Sequence, residues 1–228
     1  MKPVRRRLNT CFKRVKFMSL KENMDQIRRV IFSRRSIRVF KKRNVSLNKV
    51  LKVLNYGVWA PSAHNCQPWR FIVVLNQEVK HTLTEKMAAL YEADMRKDGL
   101  PEEEVEKKLL KSKTMLNGAP VLIVVCLDKN ALWSYKDTDR SENEFIMGVQ
   151  SVAAAVQNIL LGAYIEGLGS CWMCAPLFCR KLIRENLCLP ETYIPQAFIL
   201  MGYPAEQPSP PPRMQISQLV TVIDEFLK

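Results

Sequence analysis

The sequence predicts an α+β domain in which long helices cover a small sheet. Three observations support this: there are few apolar runs short enough to be strands, several long segments have helical spacing of apolar residues, and no internal repeat of 20–50 residues occurs. With 228 residues, 47% of them hydrophobic, the chain can bury a substantial core. No uninterrupted apolar run reaches the roughly 18–20 residues that a membrane span needs.

Apolar periodicity and end signals predict six helices. Ser46 is a candidate N-cap for a helix that ends before Pro61. Three glutamates follow Pro101, and both features favour a helix start because negative charge suits a helix N-terminus. The predicted helices cover residues 24–33, the segment between Ser46 and Pro61, residues 78–98, a segment that starts at Pro101, residues 141–165 and residues 177–187.

Three apolar segments rich in β-branched residues are predicted as strands, namely 69–75, 119–127 and 194–202. Gly167 and Gly169 end the long helix that precedes the third strand. The proline-rich segment 206–213 is expected to be extended. The apolar segment 220–227 fits either a strand or a helix.

The net charge of +13 is concentrated at one end of the chain. Residues 1–52 hold 18 Lys and Arg but 2 Asp and Glu, whereas the other 176 residues hold 17 basic and 20 acidic side chains. Residues 1–23 are therefore predicted to form a basic arm outside a domain of residues 24–228. A solvated arm and an arm that binds nucleic acid or an anionic membrane are the two interpretations.

The seven cysteines and the absence of a secretory signal predict free thiols in a reducing, cytoplasmic setting. Cys171 and Cys174 form a CxxC, but there is no second CxxC, and His64 and His81 are the only histidines. A zinc site would need scattered ligands, so no metal is predicted. Buried thiols are the favoured interpretation and a redox CxxC is the alternative.

A cluster of arginines is the first candidate binding feature. The chain has neither G-x-G-x-x-G after a strand nor a P-loop motif, so a phosphorylated cofactor would have to be held by cationic side chains. Arg34, Arg35 and Arg38 offer such cations, and Ser36 adds a hydroxyl. Positions 34, 36 and 38 share one side of an extended segment. A solvated basic loop is the alternative, because three further cations follow.

The stretch WAPSAHNCQPWRF, residues 59–71, is the second candidate feature. His64 and Cys66 could form a nucleophile or metal pair, but no further members of such a site are apparent. An ordinary turn would explain the prolines. A cradle for a planar heterocycle explains more, because the amides of Asn65 and Gln67 both donate and accept hydrogen bonds.

Four motifs occur in the order found in one known family: SRRSIRVF, APSAHNCQPWRF, GLGSCWMCAP, and GYPAE followed by PPPR. Over residues 24–220 the sequence resembles the nitroreductase family of flavoenzymes. The resemblance implies a small, mostly antiparallel sheet flanked by helices, and a homodimer with an exchanged terminal segment. It also implies FMN as cofactor, NADH or NADPH as electron donor, and a planar acceptor such as a nitroaromatic or a quinone.

The resemblance also assigns roles to residues. The flavin would carry the chemistry, so no catalytic side chain is expected. Cys174 and Ala175 replace the acid-glycine pair that is common in the family beside the reactive N5 edge. The expected cofactor-binding residues are Arg34, Arg35, Ser36, Arg38, Ser62, Asn65, Gln67, Cys174, Ala175 and Arg213.

A narrower resemblance rests on MRKDGL at residues 95–100, GLGSCW and GYPAE. These stretches look like the reductase domain associated with the deazaflavin coenzyme:glutamate ligase and like its stand-alone archaeal relatives. Reduction of a deazaflavin coenzyme precursor is therefore the alternative activity. The sequence does not distinguish NADH from NADPH.

Overall fold

The computed structural model describes residues 20–223, with side chains from residue 24. The predicted basic arm lies outside the described residues apart from the backbone of its last four. Part of the undecided segment 220–227 also lies outside them, and residues 220–223 form neither helix nor strand.

The described chain contains all of the predicted helices and one strand more than predicted. The Ser46 side chain accepts a hydrogen bond from the Lys49 N–H at 3.4 Å, as expected for an N-cap. The helices are α1 (Leu20–Ser33), α2 (Leu47–Val58), α3 (Gln77–Lys97), α4 (Glu102–Gly118), α5 (Thr138–Ile165) and α6 (Arg180–Asn186). The strands are β1 (Trp69–Val74), β2 (Val121–Asp128), β3 (Gly169–Met173) and β4 (Tyr193–Gly202).

The four strands form one sheet in the order β1-β2-β4-β3, and each neighbouring pair is antiparallel. Alternate residues of β2 and β4 point to opposite faces. One face packs against α2 and α5, and the other packs against α3, α4 and α6. Because both faces are covered, β2 is buried along its whole length. The α+β prediction is confirmed.

The loop that follows α1 crosses the edge of the sheet at β3. Ser36 forms a parallel bridge with Ser170, and the Ile37 N–H donates to the Ser170 carbonyl at 2.9 Å. Gly169 makes this approach possible, since a Cβ there would lie 2.8 Å from the Ile37 side chain. The arginine-rich loop is thereby fixed to the sheet edge.

In the described part of the chain, α5 is the one helix that is long and apolar enough to cross a membrane. One side of it, including Val152, Val156, Ile159 and Ala163, belongs to the core between α2 and the sheet. This packing is that of a core helix.

Candidate functional site

A cavity of about 780 Å³ lies where the loop after α1 crosses β3. Its volume is in the range of small-molecule sites. Three segments line it: the C-terminal turn of α1 with the arginine-rich loop, the start of β3 with the end of α5, and the chain after β4. The lining residues are Arg29, Ser33, Arg34, Arg35, Ile37, Lys41, Tyr164, Leu168, Gly169, Ser170 and Pro204–Pro208.

Cationic side chains dominate the polar lining of this cavity, which we call the cation cavity. Arg34 and Arg35 are half-buried, and neither they nor Arg29 and Lys41 form an ion pair with a described acidic residue. Burial, then the positive charges of Arg35 and Arg213, lower the pKa of Arg34. Arg213 therefore lies close enough to act on Arg34, although 179 positions separate them. An anion in the cavity would relieve this repulsion.

The backbone of the arginine-rich loop is held by one carboxylate. Glu206 Oε1 accepts hydrogen bonds from the N–H groups of Arg38 at 2.5 Å and Val39 at 3.1 Å. The guanidinium of Arg38 is exposed, donates to the Ser36 carbonyl at 3.4 Å, and does not line the cation cavity. Glu206 thus fixes the loop through backbone bonds and forms no ion pair with the guanidinium groups.

The predicted polar cradle forms a tight loop between α2 and β1. Ser62 Oγ accepts from the Gln67 N–H at 3.1 Å, and the Gln67 amide donates to Asn65 Oδ1 at 3.3 Å. His64, Asn65 and Gln67 have φ values of 53°, 53° and 46°. Left-handed backbone costs a non-glycine residue roughly 1–2 kcal/mol, and such strain concentrates at functional sites. None of these residues lines the cation cavity of the same chain.

A buried glutamate supports the strained loop from α5. The His64 ring stacks on Trp133, with centroids 3.8 Å apart, and its Nε2 lies 3.9 Å from Glu144 Oε2. Glu144 is 1% exposed, and its Oε1 accepts from the Trp133 N–H at 3.2 Å. Burial, then the charge of Glu144, raise the pKa of Cys66. This effect disfavours a thiolate, so the geometry does not favour a Cys66 nucleophile.

Metal and thiol chemistry gain no support elsewhere in the described residues. These contain no group of three or more His, Cys, Asp or Glu side chains that could hold a metal ion. Cys171 is buried, and burial raises its pKa more strongly than Arg38 and Arg34 lower it. Cys174 is exposed in the turn after β3. The raised pKa of Cys171 is the opposite of the lowered thiol pKa that is typical of a redox CxxC.

The structure brings together some of the predicted site residues and adds others. Arg34 and Arg35 line the cation cavity, Ser36 pairs with its wall, and Arg213 acts on Arg34. Cys174 and Ala175 lie beyond the far end of β3. The sequence analysis missed several lining residues. A signal was present for three of them: Arg29 and Ser33 are four positions apart on α1, and Glu206 belongs to the GYPAE motif. The missed residues are Arg29, Ser33, Lys41, Tyr164 and Glu206.

The sequence is similar to known proteins of one family. The model of the nitroreductase family matches residues 31–203. A protein of Archaeoglobus fulgidus named "Putative NADH dehydrogenase/NAD(P)H nitroreductase" is 33% identical over 188 residues, which cover 81% of this chain and 88% of that protein. A protein of the same name from Methanothermobacter thermautotrophicus is 35% identical over 182 residues, covering 78% of this chain and 77% of that one.

A solved structure has the same architecture. It is described as a "putative nitroreductase in complex with FMN" from Desulfovibrio desulfuricans, with a TM-score of 0.66 and 27% identity. The match covers 88% of this chain and 98% of the other. The fold is that of a nitroreductase-like oxidoreductase. The chain belongs to the nitroreductase family, which confirms the resemblance and the enzyme class that it implied.

Proposed function

We propose that this protein is an FMN-dependent oxidoreductase that passes hydride from NADH or NADPH to a small planar acceptor such as a nitroaromatic or a quinone. One observation carries the proposal: half-buried arginines without acidic partners converge on a cavity of small-molecule size. Family membership and the FMN in the Desulfovibrio desulfuricans protein support the same cofactor. The acceptor class comes from the family resemblance alone.

Arg34, Arg35 and Arg213 would hold the FMN phosphate. Guanidinium groups bind phosphate oxygens in pairs and keep their charge, which suits a phosphomonoester. Ser36 would add a hydroxyl, and Arg38 would contribute positive charge from the exposed side of the loop. Cys174 and Ala175 would offer backbone groups at the N5 edge. Bound FMN would supply the hydride chemistry, so the protein's part is to orient and to exclude water.

A homodimer would complete the site. Ser62, Asn65 and Gln67 form a strained polar loop that is absent from the cation cavity of their own chain. We propose that the loop of a second copy covers the cavity and contacts the flavin. Exposed apolar residues on the helices next to this loop offer the surface for such an assembly, among them Leu51, Val58 and Ile146.

The same proposal divides the chain into an FMN-binding domain, residues 24–228, and a separate basic arm, residues 1–23. The described cysteines are all free, which fits a reducing cytoplasm. Reduction of a deazaflavin precursor would use the same cofactor site and differ in the acceptor.

Arg34→Ala tests the phosphate site. Loss of a charge-assisted hydrogen bond worth about 1.5–3 kcal/mol should weaken FMN binding roughly ten- to a hundredfold. The measurement is fluorescence titration of the flavin-free protein with FMN. Arg28→Ala is the matched control, because Arg28 is an exposed arginine of the same region that pairs with Asp25 and does not line the cavity.

The wild-type protein should be yellow, with flavin absorbance near 450 nm. A colourless protein that gains no absorbance when FMN is added would contradict the proposed cofactor. Equal FMN affinity of the Arg34 and Arg28 variants would contradict the assignment of the phosphate site alone.

A further inference from the structure

A buried carboxylate behind the polar loop between α2 and β1 has one oxygen without a hydrogen-bond partner. Glu144 lies on α5 with 1% of its surface exposed, and its Oε1 accepts from the Trp133 N–H. Its Oε2 forms no hydrogen bond with any described residue. Burial of a charge without a partner is costly, and a glutamine at this position would accept the Trp133 N–H bond equally well. Helix packing therefore does not explain the second oxygen.

The imidazole of His64 is the described group that lies within ion-pair distance of this oxygen. Its Nε2 is 3.9 Å from Glu144 Oε2, which is longer than a hydrogen bond. The ring stacks on Trp133 with an interplanar angle of 11°, and 35% of the His64 side chain is exposed. A shift of the ring by about 1 Å would give a charge-assisted hydrogen bond of roughly 2.7–2.9 Å. Each oxygen of the carboxylate would then have a partner.

One face of α5 holds the polar loop at two adjacent residues. Ser151 follows Glu144 by seven positions and so lies on the same side of the helix. The Ala63 N–H donates to Ser151 Oγ at 3.2 Å, and the next loop residue is His64. His64 and Asn65 both have left-handed backbone, which persists in non-glycine residues only where the surroundings impose it. The contacts with α5 supply part of this constraint.

The charge of the His64 imidazole decides how strongly Glu144 attracts it. Imidazole changes its charge between about pH 5 and pH 8. Of the described groups around the pair, the Trp133 indole is neutral and Cys66 is a thiol close enough to respond to Glu144. Burial, then the charge of Glu144, raise the pKa of Cys66, so the thiol stays neutral over this range. The attraction between His64 and Glu144 is therefore present at the lower pH and lost as the pH rises.

We propose that Glu144 is a positioning residue for the cofactor: as the partner of protonated His64, it holds the polar loop in the conformation that contacts FMN. The inference rests on the proposed function, because contact between the polar loop and FMN is part of that proposal. FMN affinity should fall as His64 loses its proton, since a neutral ring no longer holds the loop against Glu144. A residue of α5 outside the cofactor-binding motifs thereby gains a role in cofactor affinity.

FMN titration of the flavin-free protein at about pH 6 and about pH 8.5 tests this inference. His64→Gln and Glu144→Gln each remove one charge and keep hydrogen-bonding groups. Each should weaken FMN binding about tenfold at the lower pH and less than twofold at the higher pH, relative to wild type. The double variant should bind FMN no more weakly than either single variant. The FMN phosphate also titrates near pH 6, but every variant shares that effect.

His81→Gln is the matched control, because His81 is the other histidine of the chain and is exposed on α3. It should leave the FMN affinity unchanged at both pH values. An equal loss of affinity at both pH values in the two test variants, or no loss at either, overturns the inference and leaves the FMN site intact. A wild-type protein that takes up no FMN contradicts the proposed function instead.

NMR of the flavin-free protein tests the pair without the cofactor. At about pH 6 the His64 Nε2–H of wild type should exchange slowly with water, because it is hydrogen-bonded to a buried carboxylate. The signal is assigned by its loss in His64→Gln. Glu144→Gln should speed its exchange, and His81→Gln should not. A wild-type protein without a slowly exchanging His64 signal overturns the inference even where FMN binds.

Discussion

Lys80 is a charged residue that is almost completely buried, with 1% of its surface exposed. Its ammonium donates to the Asn117 carbonyl at 3.1 Å and also to the Ala119 carbonyl. These carbonyls surround the C-terminus of α4, where backbone acceptors lack helical partners and the helix dipole favours a cation. Within the described residues no carboxylate pairs with this ammonium. Lys80 therefore caps one helix from another.

Burial lowers the pKa of Lys80 below 10.5. The unfolded chain then holds more protons at this position than the folded chain once the pH exceeds the folded-state pKa. Stability from this group therefore rises with pH, from the folded-state pKa up to the unfolded value. The free energy of unfolding of wild type, relative to Lys80→Met, should increase with pH in that window.

Urea unfolding at several alkaline pH values measures this difference. Lys107→Met, a change at an exposed lysine of α4, controls for the general effect of alkali on the protein. A difference between wild type and Lys80→Met that stays constant or falls as the pH rises would show that burial does not depress this pKa.

At the scale of elements, α2 and α5 approach closely at two glycines. A Cβ at Gly57 would lie 2.7 Å from the Ile159 side chain, and one at Gly162 would lie 2.6 Å from the Tyr56 ring. Both glycines are helical, so their value lies in the space they leave and not in backbone freedom. This contact helps to fix α5 on its face of the sheet. Glu144 and Ser151 of α5 in turn contact the polar loop between α2 and β1.

Gly57→Ala should destabilise the fold. Overpacking costs about 1–3 kcal/mol, and the better helix propensity of alanine returns up to about 1 kcal/mol, so a net loss of about 1–2 kcal/mol is expected. Gly118→Ala is the control, since a Cβ at that end of α4 meets nothing within 4 Å. Chemical denaturation should separate the two variants, and equal stabilities would contradict the close-packing argument.

Elements with a long apolar period were predictable, whereas contacts made by chain crossing were not. The spacing of α2 and the apolar run of β2 each identify their structure locally. The strand β3 was missed because GSCWM is short, lacks β-branched residues and pairs at an edge. Arg34 could be proposed from its local cluster. Arg29 and Glu206 were missed because the crossing of the loop over β3 brings them to the same cavity, and the local signals on α1 and in GYPAE do not encode that crossing.

At the scale of the whole molecule, one side carries an unusual amount of exposed apolar surface. Large apolar side chains are exposed on α1, α2 and α5, which lie on one side of the sheet or next to it. The segment after β4, which includes a 3₁₀ turn at Ile216–Gln218, exposes more of them. The exposed residues are Met24, Ile27, Ile31, Phe32, Leu47, Leu51, Val58, Trp59, Ile146, Ile165, Met214, Ile216, Leu219, Val220, Val222 and Ile223. Apolar surface of this extent is typical of a protein interface.

Leu51→Glu tests the proposed homodimer. Leu51 is 50% exposed on α2, so the change is tolerated in a free chain but would bury an unpaired carboxylate between two copies. Light scattering after size-exclusion chromatography should give about twice the chain mass of 26.3 kDa for wild type and a dimer at least tenfold weaker for the variant. FMN affinity should fall with dimer affinity, because the polar loop would come from the second copy. Leu110→Glu, on the other side of the sheet, should change neither the dimer affinity nor the FMN affinity.

A wild-type monomer that binds FMN at micromolar protein concentration would contradict the site shared between two copies. The cation cavity would then be a site within one chain.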